Sequence, residues 1–210
     1  MGLYADQVLP RAIDLMLGGA KLGELRVRAM QGLSGEVLEI GFGSGTNVPW
    51  YPPEVTRVVA VDPATVGRKL ARTRLAASPV TVEFAALDGD RIDCDDESLD
   101  AALSTFTLCT VPDEQATLRE IARILRPGGR VYFLEHGRSD DARVARRQQR
   151  LDGIQQRIAG GCHLTRDHAE VFAAAGYEDL ECVNFTIAGP ATMSYMYAGS
   201  ARRPDPASNG

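Results

Sequence analysis

The chain has 210 residues, of which 44% are hydrophobic and 24% charged, and its formal net charge at pH 7 is −5. This length suits one domain with a full hydrophobic core, and the acidic balance disfavours a nucleic-acid-binding protein, which usually carries a basic surface. No apolar run is as long as the ~18 residues of a membrane-spanning helix, and the first residues lack a signal-peptide pattern, so we expect a cytoplasmic protein.

Two helices are predicted at the start of the chain, within residues 3–31, where Gly18-Gly19 separates two segments. We predict a single domain over residues 1–202, with a helical cap over residues 1–31 and a core over residues 35–202. Residues 203–210 are rich in proline and polar residues, and we expect a disordered tail there.

A glycine-rich loop follows the first predicted strand. Residues 37–40 form a short apolar run that predicts a buried strand, and Gly41, Gly43 and Gly45 follow it at alternate positions. Glycines let the backbone turn sharply and approach a ligand closely. A loop of this kind after a strand is typical of the nucleotide site in doubly wound α/β folds, although a glycine-rich turn without a ligand is the simpler alternative.

The loop differs from a dinucleotide-binding fingerprint in two ways. The fingerprint G-x-G-x-x-G ends in glycine or alanine, whereas Thr46 occupies that place here. Glu39 stands two residues before the first glycine, where a carboxylate repels a pyrophosphate and attracts a positively charged group. These features favour a ligand with a positive amino-acid end.

The second predicted strand, residues 58–61, is continuously apolar and ends at Asp62. An acid roughly twenty residues after the glycine loop is placed to accept hydrogen bonds from ribose hydroxyls. The alternative is that Asp62 caps the helix that follows Pro63, and both roles are compatible.

The rest of the chain continues to alternate between strands and helices. Strands are predicted over residues 80–84, 99–104, 131–134, 182–187 and 194–199, and helices over residues 113–125 and within 138–158. The arginine-rich segment 138–158 favours an exposed helix with one buried stripe of Val144, Leu151, Ile154 and Ile158. The acidic run at residues 93–97 lacks calcium-loop spacing and is interpreted as a solvated turn.

Polar and aromatic residues stand where two of these strands end. Thr105 and Phe106 follow one strand, and Glu135 and His136 follow the next. Open α/β sheets bind ligands at the carboxyl ends of their strands, so we expect these residues at the ligand edge.

The four cysteines, Cys94, Cys109, Cys162 and Cys182, are scattered along the chain. They lack C-x-x-C spacing, and no combination of cysteine and histidine has zinc-finger spacing. We therefore expect reduced thiols and no metal site.

Several stretches, taken together, match one enzyme family. E-x-G-x-G-x-G at residues 39–45, Val61-Asp62-Pro63, and the helix-and-turn sequence at residues 118–129 resemble motifs of class I S-adenosylmethionine-dependent methyltransferases. Shorter stretches at residues 51–53, 108–111, 133–136 and 161–166 resemble the small alkyl-thiol methyltransferase branch and its bacterial relatives. The resemblance extends over roughly residues 4–202.

The resemblance implies a Rossmann-like, doubly wound α/β sheet of seven strands, mostly parallel with an antiparallel final strand. It implies an enzyme that uses S-adenosylmethionine, which carries an ammonium group and no phosphate, and that releases S-adenosylhomocysteine. Asp88 is expected to accept a hydrogen bond from the adenine amino group. The full set of cofactor-binding residues implied is Glu39, Gly41, Phe42, Gly43, Gly45, Asn47, Asp62, Pro63, Asp88, Gly89 and Thr105.

Methyl transfer from a sulfonium requires alignment and desolvation, and needs neither a covalent intermediate nor a metal. A thiol acceptor must react as its thiolate, of which only about a few per cent exists at neutral pH. A histidine can remove the proton, and His136 is the first candidate and His163 the second, with a structural hydrogen bond to the backbone as the alternative for each. The expected substrate-facing residues are Tyr4, Phe106, His136, Cys162 and His163.

Methylation of a small-molecule thiol or sulfide is therefore the leading hypothesis. Methylation of carbon or oxygen in a quinone or another lipophilic molecule is the main alternative, because those enzymes share the core motifs. Arsenic methylation is less favoured because the cysteines are scattered. An NAD-dependent oxidoreductase and a non-catalytic ligand-binding protein are the alternatives of other classes, and a monomer or homodimer is expected.

Overall fold

The computed structural model describes residues 9–89 and 91–204. Its helices are α1 (Leu9–Leu17), α2 (Ala20–Ala29), α3 (Thr65–Ala76), α4 (Glu114–Ile124), α5 (Ala142–Ile158) and α6 (His168–Ala174). Its strands are β1 (Gly35–Ile40), β2 (Val55–Val61), β3 (Thr81–Phe84), β4 (Leu87–Asp88), β5 (Arg91–Ile92), β6 (Leu99–Thr105), β7 (Leu125–His136), β8 (Glu178–Thr186) and β9 (Tyr195–Arg202). No helix of the described residues is long and apolar enough to cross a membrane.

Seven of these strands form one sheet in the order β3-β2-β1-β6-β7-β9-β8, and β4 and β5 form a separate hairpin. All pairs from β3 to β7 are parallel, and β9 runs antiparallel to both β7 and β8. From β1 the chain continues to β2 on one side of the sheet, and from β6 it continues to β7 on the other side. The strand order therefore reverses between β1 and β6, and open α/β sheets bind ligands at such a switch point. The doubly wound sheet with an antiparallel final strand is confirmed.

The sheet is covered by apolar side chains on both faces because successive residues of each strand point to opposite sides. Leu38 and Ile40 of β1 pack in the cluster that contains Leu118 of α4, whereas Val37 packs with Ala71 of α3. All five are buried. The continuous apolar runs predicted the central strands correctly for this reason.

Two boundaries differ from the predictions. Strand β7 begins at Leu125, directly after α4, because Leu125 pairs with Leu99 while Arg130 pairs with Ala101. The intervening residues 126–129 bulge from the edge of the pairing and do not separate the helix from the strand. Arg203, predicted to start a disordered tail, is buried and donates to Glu97 Oε1 at 3.1 Å and to the carbonyl of Leu125.

The predicted buried stripe of α5 is wrong. Leu151, Ile154 and Ile158 are 42%, 56% and 54% exposed, whereas Gln148 and Gln155 are buried. The reason is that α5 packs on the loop that follows β7. The side chain of Gln148 donates to two backbone carbonyls and accepts the amide of residue 139 at 2.9 Å, so a polar side chain satisfies polar backbone at this contact.

Candidate active site

A cavity of about 750 Å³ opens at the carboxyl ends of β1, β2 and β6. This volume lies in the range of small-molecule sites. Its walls come from the helical cap, the glycine loop, the end of β2, the β4–β5 hairpin and the segments around residues 105–113 and 159–161. Seven of the predicted cofactor-binding residues line it: Gly41, Phe42, Gly43, Asp62, Pro63, Gly89 and Thr105.

Gly41 occupies a place that only glycine can fill. Its φ is +66°, a conformation that strains any residue with a Cβ. A Cβ built on it would lie 1.9 Å from Thr107 Oγ1, and both residues line the cavity. The loop after β1 therefore passes against the loop after β6 with no room between them.

The carboxylate of Asp62 stands at the cavity wall and organises the backbone around it. Its Oδ2 accepts the amide of Gly43 at 2.6 Å, and its Oδ1 accepts the amide of Ala64 at 2.6 Å. Burial raises the pKa of Asp62, against the effect of these hydrogen bonds. Helix α3 starts at Thr65 with Ala64 at the capping position, so the helix-cap alternative for Asp62 is wrong.

Glu39 and Asn47, two predicted cofactor contacts, are buried and line none of the cavity. The carboxylate of Glu39 accepts Asn47 Nδ2 at 2.9 Å and the hydroxyl of Tyr51. Asn47 also joins Thr105, whose Oγ1 accepts Asn47 Nδ2 at 3.0 Å. The segment after the glycine loop folds back over Glu39, so its carboxylate ties that segment to β1.

Arg26 of α2 is a site residue that the sequence analysis missed. It is 1% exposed, lines the cavity, and donates through Nη1 to Asn47 Oδ1 at 2.5 Å and to Thr105 Oγ1 at 2.8 Å. Its Nε has no partner among the described residues, and burial lowers its pKa to about 10. The available signal was its spacing, because Gly23, Arg26 and Ala29 form the buried face of the helix.

Glu135 was predicted at the ligand edge but is fully buried behind it. Its carboxylate accepts Ser104 Oγ at 2.6 Å and the backbone amides of Thr107, Leu108 and Cys109 at 3.1, 3.1 and 3.2 Å. A buried charge is stabilised by such donors. Glu135 therefore fixes the shape of the loop that follows β6 and carries the cavity-lining residues.

The predicted catalytic histidines lie outside the cavity lining. The His136 ring packs 5.1 Å from the ring of Phe106, which does line the cavity. His163 Nδ1 lies 3.0 Å from Gln156 Nε2 and 3.4 Å from Asp152 Oδ2. Phe106 thus stands between the cavity and His136, and His163 is held by α5.

Cys162 and Cys109, distant in sequence, are neighbours in space. Their sulfur atoms are 3.8 Å apart, and Cys162 Sγ lies 4.0 Å from His136 Nδ1. The hydrogen bond between the sulfurs lowers the pKa of Cys162, against the effect of burial, and the neighbouring His136 lowers it further. The same hydrogen bond, with burial, raises the pKa of the Cys109 thiol.

Comparisons with known proteins agree with this geometry. Residues 38–133 match the methyltransferase-domain family. The chain is 31% identical to the thiol S-methyltransferase TMT1B of Rattus norvegicus over 162 aligned residues. The alignment covers 74% of this chain and 66% of that protein. It is 34% identical over 109 residues to the demethylmenaquinone methyltransferase of Clavibacter sepedonicus, covering 51% and 44% respectively.

The fold comparison agrees with the observed architecture. A SAM-dependent methyltransferase from Thermotoga maritima superposes with a TM-score of 0.66 over 96% of this chain and 98% of that one, at 19% identity. Residues 38–133 form a domain of the methyltransferase family, and the chain has the class I methyltransferase fold. S-adenosylmethionine is the cofactor of this family. The chain spans just under two thirds of the length of the rat relative, at 66%.

The remaining predicted residues lie as follows. Gly89 and Leu87 line the cavity, while Asp88 between them is exposed. Gly45 is buried and does not line the cavity. Tyr4 lies outside the described residues. The cap is joined to the glycine loop through Asp14 Oδ1, which accepts a hydrogen bond from Ser44 Oγ at 2.6 Å.

The protein is expected to lose stability as pH rises through the titration of Glu39. Burial raises the pKa of Glu39 to about 7 from 4.5, partly offset by Tyr51, Asn47 and Arg26. Between these two values the unfolded chain has lost the Glu39 proton while the folded chain keeps it, so the free energy of unfolding falls with rising pH. Over the whole interval, the titration of Glu39 lowers the free energy of unfolding by about 3 kcal/mol.

This dependence of stability on pH is measured by urea denaturation of wild type and Glu39→Gln at several pH values between 4.5 and 7. The variant imitates the neutral side chain, so its free energy of unfolding should fall less over this interval than that of wild type. Parallel pH profiles for the two proteins would contradict the raised pKa.

Proposed function

We propose that the chain transfers the methyl group of S-adenosylmethionine to the thiol of a small molecule. The observation that carries this proposal is the continuity of the cavity. The glycine loop and Asp62 line the same cavity as Thr110 and Gly161, which belong to two of the four stretches that resemble the thiol branch. The similarity to the rat thiol S-methyltransferase supports the choice of acceptor.

The charged groups of the cavity suggest how the cofactor lies. Asp62 accepts from the ribose hydroxyls beside the glycine loop, and the amide of Gly89 contacts the adenine ring. Arg26, a buried cation with an unpaired Nε, binds the carboxylate at the amino-acid end. A guanidinium suits this role because its planar set of donors matches a carboxylate. Glu39 and Asn47 act indirectly by positioning Arg26 and the loop.

The reaction is a displacement in line with the bond that breaks. The acceptor loses its thiol proton to solvent, the thiolate forms a bond to the methyl carbon, and the bond from that carbon to the sulfonium sulfur breaks. S-adenosylhomocysteine leaves as a neutral thioether. The protein holds the two sulfur atoms in line with the methyl carbon and excludes water. Positioning the reactants in this way accelerates the reaction. Phe106 and Val111 give the acceptor end of the cavity an apolar wall.

Asp62→Asn is expected to weaken S-adenosylmethionine binding by about 10- to 100-fold. The amide has one accepting oxygen where the carboxylate has two, and hydrogen bonds to a charged group contribute about 1.5–3 kcal/mol. Isothermal titration calorimetry measures the affinity. Asp95→Asn, in the exposed acidic turn, is the matched control and should bind as wild type does. Unchanged affinity in Asp62→Asn would remove Asp62 from the cofactor site.

The proposed function is tested by supplying S-adenosylmethionine with a panel of alkyl thiols and quinols and following the release of S-adenosylhomocysteine. Turnover that requires a thiol supports the proposal. Turnover on quinols alone contradicts the thiol assignment and favours the ring methylation of the Clavibacter relative. Binding of NAD in place of S-adenosylmethionine contradicts the cofactor assignment itself.

A further inference from the structure

Three potential metal ligands converge behind Phe106, outside the cofactor cavity. They are Cys109 Sγ, Cys162 Sγ and His136 Nδ1, and all three atoms lie within 4.8 Å of one another. Both cysteines are buried, at 1% and 4% exposure. We call these residues the Cys2His cluster.

The spacing of the cluster suits a tetrahedral metal ion. Two thiolates bound to one zinc ion at ~2.3 Å each are about 3.8 Å apart at the tetrahedral angle. The two sulfur atoms here are 3.8 Å apart, and the distance from Cys162 Sγ to His136 Nδ1 is 4.0 Å. Binding a zinc ion therefore requires no change in the distance between the sulfurs, and it requires the imidazole to move toward them.

The backbone around the cluster is held independently of any metal. Glu135 accepts the amide of Cys109 at 3.2 Å, and the carbonyl of Cys109 accepts the amide of His163 at 2.7 Å. The carbonyl of His136 lies 2.8 Å from His168 Nε2. The amide of Cys162 in turn donates to the carbonyl of Ala159 at 3.3 Å, so hydrogen bonds of the main chain hold the backbone of all three ligands.

We propose that Cys109, Cys162 and His136 bind a thiophilic divalent cation of the zinc type. Two thiolates and a neutral imidazole form a donor set that selects such an ion. Buried thiolates near the carboxylate of Glu135 concentrate negative charge, which a divalent cation neutralises. The absence of C-x-x-C spacing led the sequence analysis to expect no metal, and the fold overrides this by joining three separate segments.

The cluster supplies three ligands, and among the described residues no fourth cysteine, histidine or carboxylate joins it. A zinc site with three protein ligands keeps a position open for a water or a substrate. Because the cluster is buried behind Phe106 and outside the cofactor cavity, we assign that position to a water molecule.

The site is tested on the full chain, reduced and freed of metal, by titration with Zn²⁺ and with Co²⁺. One equivalent of Zn²⁺ should bind per chain, and Co²⁺ should give the absorption of a tetrahedral thiolate complex. Cys109→Ser, Cys162→Ser and His136→Ala should each weaken Zn²⁺ binding by more than about 100-fold, since even outer-shell partners contribute about 10- to 100-fold. Circular dichroism verifies that each variant is folded.

Cys94→Ser and Cys182→Ser are matched controls, because both cysteines are partly buried and lie outside the cluster. Both should bind Zn²⁺ as wild type does. Absence of stoichiometric Zn²⁺ binding to the reduced wild type, or equal loss in the control variants, overturns the proposal. Formation of a Cys109–Cys162 disulfide in a protein that binds no Zn²⁺ when reduced also overturns it and indicates a redox pair.

The metal measurement separates this proposal from the proposed function. Zn²⁺ binding without turnover of thiols supports the site and contradicts the thiol acceptor. Turnover of thiols by a protein that binds no Zn²⁺ contradicts the proposed metal site and supports the thiol as the methyl acceptor.

Discussion

Gly41→Ala is expected to weaken S-adenosylmethionine binding by at least about 100-fold, which corresponds to about 3 kcal/mol. The residue has a φ of +66°, and its new Cβ would lie 1.9 Å from Thr107 Oγ1. Thr107 cannot easily move away, because its amide is bound by Glu135 at 3.1 Å. The glycine loop must therefore shift, and it lines the cofactor cavity. Calorimetric titration measures the loss.

Gly128→Ala is the control for Gly41→Ala, because it introduces the same backbone strain without the steric clash. Gly128 also has a positive φ, +80°, but a Cβ there meets no atom within 4 Å. It lies in the bulge of β7, away from the cavity. We expect this variant to lose about 1–2 kcal/mol of stability, as a left-handed alanine does, and to keep its affinity for S-adenosylmethionine. Normal binding by Gly41→Ala would contradict the placement of the cofactor on this loop.

Glu135→Gln is expected to lower the free energy of unfolding by about 3 kcal/mol or more. The carboxylate is fully buried and accepts four hydrogen bonds, one from Ser104 and three from the backbone of residues 107–109. Glutamine offers one accepting oxygen, and its amide group turns a donor toward backbone donors. At least one buried amide is left without a partner, which is costly in a low-dielectric interior.

Urea denaturation measures the stability of Glu135→Gln. Glu24→Gln, the same substitution at an exposed position of α2, is the control and should change stability by no more than about 0.5 kcal/mol. A loss in Glu135→Gln as small as that of the control would show that the loop after β6 holds its shape without the carboxylate.

The features predicted correctly from the sequence are those in which local backbone chemistry decides the outcome. The apolar run before Gly41 requires a buried strand, and the glycines that follow permit a turn that other residues resist. Asp62 lies at the end of the adjacent strand, and parallel strands end at the same edge of the sheet. Their order along the chain therefore predicted that the loop and Asp62 lie close together. The structure agrees, because the amide of Gly43 donates to Asp62 Oδ2 at 2.6 Å.

The features missed are those that depend on what packs against a residue. Helix α5 carries an apolar pattern, but it packs on polar loop backbone, so Gln148 is buried and Ile154 is exposed. Arg26 looks like one of several cations of a surface helix until α2 is placed over Thr105. Burial of a charged side chain cannot be inferred from its own segment, because its partners lie elsewhere in the chain.

The sequence alone determined the main alternation of strands and helices and the glycine loop with Asp62, because hydrophobic periodicity and glycine content act over a few residues. The doubly wound sheet was implied by the family resemblance. Only the tertiary structure decided the surroundings of that loop. It placed Glu135 beneath the segment after β6 and joined Cys109, Cys162 and His136 into one cluster. These contacts connect residues 26 or more positions apart, and their geometry depends on how the sheet and its crossovers pack.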